Sequence, residues 1–400
     1  MKQQLAPLTG LRGIAAYSVL FAHTVDAAFN YNGKAIFHSY VLGFAHFGMS
    51  LFFVLSGFVI HYNYANSIRK QGLIRGGYYF MAARFARLYP LYGFCMLLSI
   101  GHFPSENFMG QTWIAISALT LTQTWFNVPG VSGSLFGQSW SISTEWFFYV
   151  AFIALVWPLA QIKKPLRALN IFLIAATIFL CIIFKFKDPI VAALTPIVYR
   201  GLPVNNPPWL WLTYFAPYLR ILEFIAGVLA SQVYLSLKDK PQHNHVASLY
   251  LYACLSWCGA AIILTAYVKN GYFENFLPNF IYAPALAPAL VLLCRYETAL
   301  SRLVSKPALL LLGEISYSVY VFQFAILNMA GTPHFSGDSL TVALLNSIIK
   351  AFLMLLTVTA IGYGSYFLIE IPTRRWLRAK LFTNAPTVPD KLTPAVNVIA

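Results

Sequence analysis

The stretch LTGLRGIAAYSVLFAHTVDAA, residues 8–28, is long enough to cross a bilayer as one helix, yet it carries Arg12, His23 and Asp26. A lipid span needs about 20 predominantly apolar residues, and ionisable groups inside one are costly and point to function. Arg12 and His23 are eleven residues apart. At about 100° per residue that is three turns plus about 20°, so both side chains leave one face of the helix, about 16 Å apart along its axis. Asp26 follows His23 by three residues, a spacing at which a carboxylate can orient an imidazole and raise its basicity.

The rest of the chain has the same character. Hydrophobic residues make up 59% of the 400 and charged residues 10%, whereas a soluble domain is about 25% charged. This excludes a disordered chain, a disulfide scaffold and a cytosolic enzyme. The expected fold is an all-α polytopic membrane bundle of about ten transmembrane helices. They fall near 8–28, 43–64, 86–103, 138–160, 168–186, 213–236, 247–268, 280–295, 308–330 and 341–369. The shorter apolar stretch near 113–125 reads as a re-entrant or interfacial helix. Residues 1–382 are expected to form one membrane domain and 383–400 a flexible cytoplasmic tail. The proline-rich stretch 187–212 reads as the longest outer loop, a candidate cap over the substrate.

The 27 Lys and Arg against 12 Asp and Glu give a formal charge of +15. In a soluble protein that excess would suggest nucleic acid; here it reads as topology, with no nucleic-acid partner. With the N-terminus inside and ten crossings, 20 of the 27 basic residues lie inside. The positive-inside rule then places both termini in the cytoplasm and the protein in the cytoplasmic (inner) membrane. The five cysteines all sit in apolar runs and read as packing residues, so no metal site is expected.

Three further polar groupings stand out. Arg84 and Arg87 lie one turn apart in RFARLYPLY (84–92); with Arg12 they offer three guanidiniums for an anion such as phosphate. In SWSISTEWFFY (139–149), Ser141 and Glu145 share a helix face beside Ser139, Trp140, Ser143 and Thr144. Helix-to-helix hydrogen bonding explains the hydroxyls but not the carboxylate, which needs a partner or a proton. Arg220 and Glu223 read as a structural ion pair, and Glu314 and Glu370 as helix-end or packing features.

Seven segments together, in order, resemble the acyltransferase-3 family of integral membrane O-acyltransferases. They are LTGLRGIAAYSVLFAH (8–23), FFVLSGFVI (52–60), RFARLYPLY (84–92), SWSISTEWFFY (139–149), RILEFIAG (220–227), ISYSVYVFQF (315–324) and IEIP (369–372). Gln323 stands where that pattern has histidine, which leaves His23 as the main candidate base. The resemblance implies transfer of an acyl group, acetyl by default, from cytoplasmic acyl-CoA to a hydroxyl of a surface or exported carbohydrate. Lipopolysaccharide and exopolysaccharide are among the open acceptors. The partners implied are acyl-CoA, a carbohydrate acceptor and membrane lipids. Arg12, Arg84 and Arg87 would then bind the donor's phosphates. His23, oriented by Asp26, would act as base or as a covalent acyl carrier, with Glu145 in the same centre and Ser139, Trp140 and Ser141 lining the substrate site. A transporter or flippase for a lipid-linked sugar or small anion is the rival reading; the lack of a visible internal repeat weighs against it. A non-catalytic partner of a polysaccharide assembly is a third.

Overall fold

In the computed structural model the described residues are 5–31, 34–99, 108–126, 137–199, 208–238, 244–267, 280–329 and 340–381. The architecture is all-α apart from a minimal antiparallel hairpin, Asn30–Tyr31 with Lys34–Ala35. In chain order the helices are α1 (Ala6–Ala28), α2 (His38–Gln71), α3 (Leu73–Leu98), α4 (Phe108–Leu119), α5 (Ser139–Ala160) and α6 (Pro165–Lys185). Next come α7 (Lys187–Tyr199), α8 (Pro217–Leu237), α9 (Asn244–Tyr267), α10 (Ala283–Arg295) and α11 (Ala299–Val304). The last are α12 (Pro307–Glu314), α13 (Ser316–Met329), α14 (Leu340–Ser365) and α15 (Ile371–Leu381). π-helical turns at Trp211–Phe215 and Tyr366–Glu370 precede α8 and α15.

The expectation of about ten spans is corrected. Among the described residues, six helices are long and apolar enough to cross a membrane: His38–Gln71, Ser139–Ala160, Pro165–Lys185, Trp211–Leu237, Val246–Tyr267 and Thr341–Leu381. The four other expected spans fail for identifiable reasons. Arg12, His23 and Asp26, with Thr9, Ser18 and Thr24, dilute the apolar character of α1, and Arg75, Arg84 and Arg87 do the same to α3. At 13 residues, α10 reaches only about 20 Å against a hydrocarbon core of about 30 Å. The stretch 308–330 breaks at Ile315 into α12 and α13. The 20-to-7 partition of basic residues depends on ten crossings and does not carry over. The stretch near 113–125 holds the end of the 12-residue α4 and a turn in which Leu121 takes a left-handed φ of 57°. Lys187–Tyr199 is helical rather than loop; residues 200–207 and the proposed tail 383–400 lie outside the described residues.

The spine of the molecule is α2. It packs against α1, α3, α5, α8, α9 and α10, and 72% of its most apolar window is buried, against 17% for α6. The outward faces of α6 and α14 expose Ile171, Ile174, Ile178 and Ile182, and Leu345, Ile348, Phe352 and Leu356. Such stripes of large apolar side chains suit lipid, not water. The contact between α2 and α8 is made at backbone distance. A Cβ on Gly57 would collide with the Phe224 carbonyl oxygen, and one on Gly227 with that of Val54. Small residues at such crossings let membrane helices gain dispersion contact that lipid cannot supply.

Gly57→Ala and Gly227→Ala are each expected to lower the thermal midpoint of the detergent-solubilised protein, by a loss worth about 1–3 kcal/mol. Gly259→Ala is the control, since an added Cβ there meets nothing within 4 Å. Equal midpoints for all three variants would contradict the close crossing.

Candidate functional site

The basic residues of the site are placed by α1, α3 and α15, and their counter-charges by the turns around α12 and α15. Arg12 Nη2 donates to Ser316 Oγ at 3.2 Å, and its guanidinium lies in the field of Arg87, Glu314 and Glu370. Glu370 accepts from Ser318 Oγ at 2.8 Å, sits 3.8 Å from Arg374 Nη1 and also feels Arg87 and Arg12. Glu314 accepts from the Tyr366 hydroxyl at 2.9 Å. Arg12 and Arg87 therefore share one cluster with Arg374, balanced by two carboxylates.

Arg84 occupies an adjoining cage. Its Nη2 donates to the Tyr64 hydroxyl at 2.5 Å, and its guanidinium lies 4.7 Å from the Tyr64 ring centroid and 5.9 Å from that of Tyr149. Glu145 is the carboxylate of this cage. Its Oε1 accepts from Tyr149 at 2.5 Å and from Ser56 Oγ at 3.1 Å, within the field of Arg84. The half-buried carboxylate thus has hydrogen-bond partners at its position.

Further along α1, His23 lies in the field of Asp26 and of His38. Asp26 Oδ2 meets His38 Nδ1 at 2.7 Å, so the carboxylate expected to orient His23 is bonded to a second histidine at the start of α2. His23 and Asp26 are both half-buried.

The first turns of α5 are sealed among aromatic rings. Trp140 packs 5.0 Å from Tyr214 and 6.3 Å from Phe53. Ser141 Oγ meets the Tyr320 hydroxyl at 2.6 Å. Ser143 and Thr144 bond neighbouring backbone, donating to Leu121 O and Phe215 O at 2.9 Å each. Ser139 Oγ is buried, with no hydrogen-bond partner among the described residues. Next to this group, Glu223 accepts from Ser50 Oγ on α2 and pairs with Arg220 at 3.2 Å, both fully buried. Arg220 lies 4.9 Å from the Phe53 ring centroid. Tyr214 touches His46 edge-on at 5.8 Å. The sequence-predicted residues thus fall into four neighbouring groups along the bundle, not one compact centre: Arg12 with Arg87, Arg84 with Glu145, His23 with Asp26, and Ser139 to Ser141.

The acyltransferase-domain family profile (Acyl_transf_3) matches residues 6–367. The chain belongs to the acyltransferase-3 family. Acyltransferase MdmB of Streptomyces mycarofaciens is 29% identical over 343 residues, covering 81% of this chain and 79% of that protein. Protein 2 in the picA locus of Rhizobium radiobacter is 38% identical over 96 residues, 24% of this chain and 44% of that protein. No solved structure matches the chain. Membership makes the protein a membrane acyltransferase and decides against the transporter reading.

Several residues of this acyltransferase were not assigned to its site from the sequence. His38 and His46 follow the gap after α1, and nothing in their spacing ties them to His23 or Arg220. Glu314 and Glu370 read as packing features, yet they are the carboxylates among the arginines. Their one available signal was ionisable character inside an apolar context. Among the described residues, both π-helical turns deliver site residues, Tyr214 and Glu370, in keeping with the use of such turns at functional positions.

Removing one member of the buried Arg220–Glu223 pair should leave an uncompensated charge at a cost of about 3–5 kcal/mol. Glu223→Gln is expected to unfold at a markedly lower temperature, and an Arg220→Met, Glu223→Met double variant to recover much of the loss. A double variant no more stable than Glu223→Gln would contradict this assignment.

Proposed function

We propose that this acyltransferase moves an acyl group, acetyl by default, from cytoplasmic acyl-CoA to a hydroxyl of a surface or exported carbohydrate. The observation that carries the reading is the polarity of α1. Arg12 at one end lies with Arg87 in a cluster suited to a polyanionic donor, and His23, three turns on, lies beside Asp26 and His38. CoA phosphates would dock against Arg12 and Arg87, with Arg84 held ready by Tyr64 and Tyr149. The pantetheine arm would run along the face of α1 and bring the thioester towards His23.

The chemistry is a general-base acyl transfer. His23 takes the acceptor hydroxyl proton as the oxygen attacks the thioester carbonyl, the C–S bond breaks, and the proton returns to the leaving thiolate. The Asp26 carboxylate favours the transient imidazolium of His23, and its bond to His38 holds the carboxylate in place. A covalent acyl-histidine is the variant of this step. Glu145 serves on the donor side by holding Tyr149 beside Arg84, and Ser139, Trp140 and Ser141 line the acceptor side.

The arginine-rich end is proposed to face the cytoplasm, with both termini there. Supporting this, the start of α1 and the turn into α15 meet at Arg12 and Glu370, and α15 carries Arg374, Arg375, Arg378 and Lys380. Basic residues flanking spans favour the cytoplasmic side.

Membranes incubated with labelled acetyl-CoA are expected to transfer label to glycan. His23→Ala should lower transfer about 10²- to 10⁴-fold at normal expression. Arg87→Ala should raise KM for acetyl-CoA about tenfold with a smaller effect on kcat. Normal transfer by His23→Ala would remove the base, and an unchanged KM in Arg87→Ala would remove the donor site.

A further inference from the structure

Beyond the Arg84–Tyr64 bond, α2 and α3 run on to the turn at Gly72, where a φ of 81° lets the chain reverse. The turn carries exposed side chains of two kinds. Arg69, Lys70 and Arg75 are cations. Leu73, Ile74 and Tyr78 are large and apolar, and Ile74 is 87% exposed. Clustered apolar surface of this kind marks a contact with something other than water.

A second set of the same make-up lies on α15. This helix packs against α3, and its buried side holds Arg374 3.8 Å from Glu370. Its outer side presents Arg375, Trp376 and Lys380, with Trp376 61% exposed. Upstream on the same helical run, Thr341–Leu381, Leu356, Tyr363 and Leu368 are exposed as well. The lipid-facing surface of α14 therefore leads along one helix into the cations of α15, with a tryptophan at the change, the residue that favours the membrane–water boundary.

The chemistry of the two sets selects their occupant. Residues 61–82 and 371–381 contain no Asp or Glu, so both sets call for an anion. A soluble phosphate would satisfy the cations and leave Ile74 and Trp376 in water. An acidic phospholipid satisfies both halves: its headgroup meets the cations, and its glycerol and upper acyl chains meet the apolar side chains. Position favours the same occupant. Both sets stand at the ends of membrane spans, His38–Gln71 and Thr341–Leu381, where a bilayer surface is always at hand.

We propose that Arg69, Lys70 and Arg75 at the α2–α3 turn, and Arg375 and Lys380 on α15, bind the headgroups of acidic phospholipids, with Ile74 and Trp376 inserted beside them. The bound lipid fastens the projecting ends of α2, α3 and α15 to one leaflet. This holds whether or not the acyl-transfer reading does.

The full chain in neutral detergent, without acyl donor, is titrated with phosphatidylglycerol and with phosphatidylcholine of equal chain length, and retained lipid is counted by native mass spectrometry. Phosphatidylglycerol should be retained about fivefold or more tightly, the factor that one basic residue contributes near an acidic surface. Combining Arg69→Gln, Lys70→Gln, Arg75→Gln, Arg375→Gln and Lys380→Gln should remove the preference. Combining Arg69→Lys, Arg75→Lys and Arg375→Lys should keep it, because charge carries the contact. So should Lys163→Gln, Lys164→Gln and Arg167→Gln together, which remove exposed cations of the α5–α6 turn. If the five-residue variant does not fold, Arg375→Gln with Lys380→Gln should still lower the preference about fivefold. Equal retention of the two lipids, a preference that survives the glutamine variants, or its loss in the α5–α6 variant would overturn the proposal. So would displacement of phosphatidylglycerol by phosphate but not by chloride of equal ionic strength, which would assign the cations to a soluble anion. Lipid retention without transfer of label from acetyl-CoA sinks the acyl-transfer reading alone, and transfer without the lipid preference sinks this proposal alone.

Discussion

Glu223 and Arg220 carry opposite charges with no solvent contact, in a chain with few charges to place. Such a pair is stable only if geometry and added hydrogen bonds offset the loss of water. Here the offset comes from the α2–α8 crossing. Gly57 and Gly227 let the two backbones meet, and that approach brings Ser50 of α2 to the Glu223 carboxylate and the Phe53 ring beneath Arg220. The same crossing fixes the positions of the other helices, because α2 is the element against which α1, α3, α5 and α9 pack. Disturbing it would shift every group that those helices carry.

From this spine the polar residues separate by function. Toward one end of α1, Arg12 faces the Glu314 and Glu370 carboxylates; further along, His23 faces Asp26 and His38. The chain thus concentrates its costly intramembrane charges along a line, with the sealed hydroxyl and amide groups of α5 and α13 to the side. Apolar surface is spent on the outer helices α6 and α14, whose exposed isoleucines, leucines and phenylalanines require a lipid solvent.

Much of this was legible in the sequence, and the reasons for the exceptions are physical. Composition fixed the class, since 10% charge cannot build a water-facing surface. Span assignment succeeded where a helix is uniformly apolar, as in α6 and α14, and overreached for α10, whose apolar run ends before it is long enough. It also overreached for α1 and α3, whose charges are accommodated by surrounding protein. Arg12, Arg84, Arg87 and Glu145 were visible because charge inside an apolar run is conspicuous. The partners of the arginines were not, because Glu370 and Tyr64 reach them from other helices. Asp26 shows the limit well: its spacing pointed to His23, in whose field it lies, but gave no sign of His38, which bonds it at 2.7 Å.

The central claim is that acyl donor and acceptor meet inside the bundle from opposite sides of the membrane. Sealed proteoliposomes of known sidedness test it directly, with labelled acetyl-CoA supplied only to the arginine-rich face and a hydroxyl-bearing glycoside confined to the other. The account predicts that label appears on the glycoside while the vesicles remain impermeable to both substrates. Label appearing only when both substrates share one face would contradict it.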